Sequence, residues 1–182
     1  VRKRNEKIIY CSVSAYGQEG RYSRNPGFDA MAQAMSGLVD MTGDPEGPPF
    51  KLGTTLADYI GTFNAFGALS AALYHREHSG RGQYIDISLV GGLLSCNTAL
   101  DISATFDTHP TRTGQHDGTV VPYGMFKGPN NEYVALVSCT YNLWPKICKL
   151  MDRMEWTQDP DYSDATRRMA HRDEVVAAVE EY

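Results

Sequence analysis

Three observations predict an α/β fold. Lys7 to Ser14, KIIYCSVS, is a continuous apolar run with β-branched residues, as in a strand buried on both faces of a parallel sheet. Gly53 to Ser79 is long, rich in Ala and Gly, and reads as a helix. Tyr84 to Leu89 alternates, with Ile85, Ile87 and Leu89 on one face, as a strand does.

Each element has a local reason. Beyond the first strand, Ala15-Tyr16-Gly17-Gln18-Glu19-Gly20 lies where open α/β sheets bind ligands, at a strand's carboxyl end. Gly17 and Gly20 read as an ordinary βα turn or, alternatively, as backbone contacts to a ligand. After a polar loop, Asp29 can cap a helix running to about Met35. Gln33 is its polar outlier, with a solvent-facing position as one reading. Thr42 to Pro49 is a turn-rich linker with an extended path.

In the long helix Leu56, Ile60, Phe63, Phe66 or Gly67, Leu69 and Leu73 recur at helical spacing and predict one buried face. Ala57, Gly61, Ala65, Ala68, Ala71 and Ala72 keep the remainder slim. Gly80 supplies a left-handed C-cap, and His75, Arg76 and Arg81 suit the negative helix end. Val90 to Phe106 predicts a second helix, and Asp107 to Thr119 a polar loop. Strands from Tyr123 to Phe126 and from Tyr133 to Ser138 flank Gly128-Pro129-Asn130-Asn131, a hairpin signal. Asn142 to Asp152 predicts a short amphipathic helix, and Ser163 to Tyr182 a charged final one with Met169, Val175, Val176 and Val179 apolar.

With 182 residues the chain suffices for one ordinary domain and a small extension, and 42% hydrophobic residues permit a real core. A net charge of -5 argues against a nucleic-acid or anionic-membrane surface, which needs a clustered basic face. No run of 18 apolar residues predicts a membrane span. Cys11, Cys96, Cys139 and Cys148 lack zinc-site spacing and lie in apolar runs, which predicts buried free thiols of a cytoplasmic protein. His109 and His116 read as residues of a solvated loop, and no metal site is expected. The chain opens on Val1 and ends without a cap signal, so it reads as a fragment.

Phosphate loops, nucleophile elbows and H-E-x-x-H are missing from the sequence. Gly80-x-Gly82 precedes a strand rather than a helix, so it is no dinucleotide fingerprint. The distinctive group is Asp58, the one acidic residue between Leu56 and Leu73. It is either a reactive carboxylate or an acid that merely caps a helix end.

A resemblance bears on that choice. The motifs QA-x-x-G, TG-x-P-x-G-P-P, aD-x-x-G and R-x-x-x-G-x-GQ-x-x-D-x-S occur in order between Asn25 and Leu89. IIYCSVSAYGQEGRYSRNPGFD precedes them, and VPYGMFKGPNNEYVALVSCTYNLWPKICKLM follows. Together they resemble the family III coenzyme A transferases, which include formyl-CoA and carnitine-CoA transferases and the related α-methylacyl-CoA racemases. The resemblance implies part of a Rossmann-like large domain over residues 1–105, carrying the nucleophile helix. Residues 106–182 would be a linker and the start of a small α+β domain.

It also implies that Asp58 is the nucleophile of CoA transfer between an acyl-CoA and a small carboxylic acid, through a covalent aspartyl intermediate. Coenzyme A thioester is then a substrate, and no permanently bound cofactor is expected. Gly17, Gln18, Gly20 and Gly61 are candidates to contact substrate or CoA, Gly17, Gly20 and Gly61 as oxyanion donors. Asp29 joins Asp58 as a candidate catalytic residue or serves as a helix cap. Racemases carry His where this chain has Phe28, and Phe28 cannot move a proton, so racemisation is disfavoured. Family members are more than twice this long, and their amino-terminal CoA-binding part has no counterpart here. A truncated remnant serving only as a dimerisation module is the rival reading. Members form homodimers of interlocked chains, and a homodimer is the expected assembly.

Overall fold

A computed structural model of the chain describes residues 3–138, 140 and 142–182. These form mixed α/β structure in two compact units. One comprises the described residues of Val1–Gly43 and Gly47–Arg112, the other Asp44–Glu46 and the described residues of Thr113–Tyr182.

In the first unit β1 (Tyr10–Ser14) and β2 (Tyr84–Ser88) pair in parallel, with Tyr10 opposite Tyr84 and Ser14 opposite Ser88. Helices α1 (Asp29–Met35) and α2 (Leu56–Ser79) lie between them in sequence. The first strand is shorter than the apolar run, and it is not buried on both faces. Tyr10 and Val13 are exposed, because among the described residues β2 is the only partner in this sheet. Gly82 fits where the approaches to the two strands meet. Its N–H donates to Glu6 O at 2.7 Å, and a β-carbon there would overlap the Ile8 carbonyl.

The predicted second helix is two. α3 (Leu89–Cys96) and α4 (Thr98–Phe106) meet at a 68° bend. Asn97 sits in the bend, buried, with its side-chain amide donating to Ser36 O at 2.9 Å. That bond to α1's end rewards breaking the helix where a continuous one would carry the chain away. Among the described residues no single helix is long and apolar enough to cross a membrane.

The buried face of α2 matches the predicted one only in part, at Leu56 and Ile60. Ala57, Gly61 and Ala72 are buried, whereas Phe63, Phe66 and Leu73 are exposed. Small residues face inward because α2 lies close to β2 and α3. A β-carbon on Gly61 would come within 2.5 Å of Leu89 Cδ2, and one on Gly92 within 3.0 Å of Ile60 Cγ2. The core here is Ala32, Ala57, Leu89 and Leu93, with Leu56 and Ile60 packed against it. Gly80 ends α2 as expected, at φ 70° with its N–H on Arg76 O.

In the second unit β3 (Tyr123–Lys127) and β4 (Tyr133–Val137) form the predicted antiparallel hairpin. α5 (Trp144–Leu150) follows, then α6 (Pro160–Ser163), α7 (Ala165–Arg168) and α8 (Arg172–Glu181). Asp164 caps the start of α7, and the expected final helix is broken further on, where the tighter turn Met169–His171 separates α7 from α8. Val121, Trp144, Ile147, Cys148, Met151, Trp156 and Val175 form the core. Met169, Val176 and Val179 pack against it, the apolar set read from the sequence. Arg168 is buried there, donating to Val121 O and Tyr162 O with its guanidinium 4.0 Å from the Trp144 ring.

The cysteine expectation needs correction. Cys148 is buried, Cys11 is half-buried and Cys96 is exposed at the end of α3. Cys139 lies outside the described residues.

Candidate active site

The site is built where the parallel strands end. Ala15, just past β1, accepts from Val90 N at 3.0 Å and from Ser88 Oγ at 3.3 Å, which ties the two strand ends together. Gly27 packs so tightly on Ala15 and Tyr16 that a β-carbon would collide with both. Two residues later α1 begins, so its first turn is pinned against the carboxyl end of β1. This is the edge of an open α/β sheet where ligands bind.

The start of α2 reaches the same edge. Gly61 abuts Leu89, immediately after β2. Asp58 lies three residues earlier, about 4.5 Å further along the helix axis. It is exposed, and its carboxylate makes no hydrogen bond or ion pair among the described residues. Its backbone is in the helix, with Asp58 N on Thr55 O at 3.1 Å and Asp58 O accepting from Thr62 Oγ1 at 2.8 Å.

Asp29 is the group that caps α2. The N-cap residue Thr55 makes no side-chain cap. Asp29 Oδ1 instead accepts from Ala57 N at 2.8 Å, across 28 positions. Its other oxygen accepts from Gln33 Nε2 at 2.7 Å, one turn on along α1. Asp29 and Gln33 are both buried. The Gln33 amide also donates to Thr54 O and accepts from Leu52 N, each at 2.9 Å. A carboxylate beside a helix N-terminus is favoured by the unpaired N–H groups and the dipole.

The Gly17 turn is held from inside. Gly17 N donates to Ser14 Oγ at 3.1 Å, and Gln18 N to Asp86 Oδ2 at 2.7 Å. Gly17 requires its glycine, at φ 83°. These two backbone donors are therefore committed to the turn. The Gln18 side chain is exposed and Gly20 stands open, so those two keep access to solvent at this edge. Gly61 is placed inside α2. It lies beyond the first turn, where N–H groups already have intrahelical partners, and it serves close packing against Leu89.

Sequence reasoning placed Asp58 and Asp29 at neighbouring helix starts and missed what joins them. Gln33 is not solvent-facing, and Asp86 had no role. The signal for Gln33 was its spacing of four from Asp29, which puts both on one helix face. The signal for Asp86 was a charge in an otherwise alternating strand. Among the described residues no group of three or more His, Cys, Asp or Glu could hold a metal ion.

The model of CoA-transferase family III matches residues 1–182. The chain belongs to that family. This family III chain is 34% identical over 181 residues to acetyl-CoA:oxalate CoA-transferase of Acetobacter aceti, covering 98% of itself and 46% of that relative. It is 35% identical to the succinyl-CoA--L-malate CoA-transferase beta subunit of Chloroflexus aurantiacus, covering 99% of itself and 45% of the relative. A CAIB/BAIF family protein from Brucella suis superposes with a TM-score of 0.80 at 27% identity, over 99% of this chain and 48% of that one. A Mycobacterium tuberculosis protein, Rv3272, superposes at 0.83 with 23% identity, which speaks for the fold alone. The family III chain spans about half the length of these relatives.

Proposed function

We propose that the protein transfers coenzyme A between an acyl-CoA and a carboxylic acid, and that Asp58 is its nucleophile. The observation that carries this is the division of labour at the start of α2. An acid there could be a cap or a reactive group, and Asp29 already does the capping while Asp58 stands exposed with no protein partner among the described residues. The curated relatives named above are CoA-transferases, each named for a pair of acids.

In this mechanism a carboxylate oxygen of Asp58 attacks the thioester carbonyl of the acyl-CoA. The C–S bond breaks, CoA leaves as thiolate, and an acyl–aspartyl anhydride remains. The thiolate then attacks the Asp58 carbonyl, releasing the first acid as carboxylate and leaving an aspartyl-CoA thioester. The acceptor carboxylate attacks that thioester, and the returning thiolate takes the acyl group from the new anhydride. Each step passes one acyl or CoA group with no net proton change. Two reactive covalent states replace one difficult exchange. Backbone around open Gly20 and the exposed Gln18 side chain are the groups on this edge that can meet the substrate. On the family resemblance, we take the whole protein to be a cytoplasmic homodimer.

The test is trapping. The natural full-length polypeptide, incubated with succinyl-CoA and quenched with hydroxylamine, should carry a hydroxamate on Asp58 by peptide mass spectrometry. Turnover with no adduct there, or an Asp58→Asn variant with undiminished turnover, would overturn the assignment.

A further inference from the structure

We propose that Gln33 is a positioning residue for the Asp58 site. The proposal rests on Asp58 being the nucleophile. Gln33 touches no reacting atom; it acts through Asp29 and the strand of backbone that leads into α2.

The argument starts from its amide. The side chain is fully buried, and all of its hydrogen-bonding capacity faces protein. Both Nε2 hydrogens are used, on Asp29 Oδ2 and Thr54 O, and Oε1 accepts from Leu52 N. Only one orientation works. Turning the amide over would set Oε1 against two acceptors and Nε2 against a donor. Gln33 thus fixes the carboxylate of Asp29, whose other oxygen holds Ala57 N. It also fixes Leu52 and Thr54 directly. Asp58 is the next residue after Ala57, and Thr55 contributes no cap of its own. The place of the first turn of α2, and so of the nucleophile, is set from α1 through one glutamine.

Burying an amide is costly unless every polar atom is paired. What the glutamine adds is direction: three bonds that converge on one turn. A nucleophile misplaced by about 1 Å loses on the order of a hundredfold in rate.

The test uses the natural full-length polypeptide with succinyl-CoA as probe, and reads both turnover and the hydroxylamine-trapped adduct. Gln33→Leu should still acylate at Asp58, but roughly a hundredfold more slowly per folded molecule, with KM for the thioester nearly unchanged. Gln33→Glu gives a readout that a packing role would not. Asp29 is the ionisable group in contact with Gln33, and Lys51 and Asp58 are the charged residues next in sequence to the backbone groups this network holds, Leu52 N and Ala57 N. In Gln33→Glu the introduced carboxylate, when ionised, opposes Asp29, and like charges push the titration of the pair upward. Once protonated, the introduced group regains a donor to Asp29. Activity of Gln33→Glu relative to wild type should therefore climb as pH falls through that titration, while Gln33→Leu shows no climb.

If Gln33→Leu does not fold, the double variant Asp29→Asn with Gln33→Glu carries the test. The amide introduced at position 29 can donate to the carboxylate introduced at position 33 and still accept from Ala57 N. The pair should then recover at least about tenfold in kcat over Gln33→Glu alone. Unchanged kcat in Gln33→Leu, a Gln33→Glu profile parallel to wild type, or a folded double variant without recovery would each overturn the proposal. Failure of Asp58 as nucleophile would show separately, as a wild-type enzyme that turns over without an Asp58 adduct.

Discussion

Two glycines of one helix separate intrinsic helix preference from packing. Gly61 and Gly67 both lie inside α2, where alanine is favoured over glycine by about 1 kcal/mol. At Gly67 a β-carbon meets nothing within 4 Å. Gly67→Ala should therefore stabilise by about 1 kcal/mol. At Gly61 the added carbon would lie 2.5 Å from Leu89 Cδ2, more than an ångström inside ordinary contact, and Leu89 is itself buried. Overpacking of this kind costs about 1–3 kcal/mol, so Gly61→Ala should range from neutral to destabilising by about 2 kcal/mol. The two variants should differ by about 2 kcal/mol, or roughly 4–8 °C in Tm for a domain of this size. Thermal denaturation of both variants beside wild type is the assay. If Gly61→Ala stabilises as much as Gly67→Ala, Leu89 yields freely and the close seam between α2 and the end of β2 does not constrain the helix.

Two further outcomes concern the second unit and the thiols. Burial pushes the Cys148 thiol up to about 11, so about one part in a thousand is thiolate at pH 8, whereas Cys96 is exposed. Iodoacetamide at pH 8 should label Cys96 in the native protein and Cys148 only after denaturation, read by peptide mass spectrometry; native labelling of Cys148 would contradict its burial. His116 is held below its ordinary 6.5, first by burial and then by the Arg172 guanidinium, against an opposing pull from Glu180 and Asp173. The fold favours the neutral ring, so its contribution is full above the unfolded value and is lost as pH falls below 6.5. Wild type should lose more stability between pH 7.5 and 5.5 than His116→Gln. An NMR titration of His116 with a midpoint at or above 6.5 would refute the sign.

How far the sequence could be read depended on whether a signal was local. Gly80 as a C-cap, the Gly128–Asn131 hairpin turn and the strand at Ile85 and Ile87 depend on neighbouring residues and were legible. So was the family, through motifs that run in order along the chain. The buried face of α2 was legible only in part, because apolar residues lie nearly all round that helix. What selects the inward side is size: Ala57, Gly61 and Ala72 permit an approach that Phe63 and Phe66 would prevent. The bend at Asn97 depends on a carbonyl sixty-one positions away, which no periodicity reports. At the site, Asp58 and Asp29 were visible as acids near helix starts. Their distinct jobs were not, because the bond from Asp29 to Ala57 N crosses between helices.

The parallel ladder carries a consequence for how the molecule is made. Tyr10 and Tyr84 face each other roughly seventy residues apart in sequence, so the pair closes a large loop before any contact repays the lost chain freedom. The 24-residue helix between them can form on its own far sooner. A nascent chain would thus carry Asp58 on a formed helix well before the paired strand ends beside that helix exist, and the arrangement of the two around each other would be among the last features the polypeptide acquires.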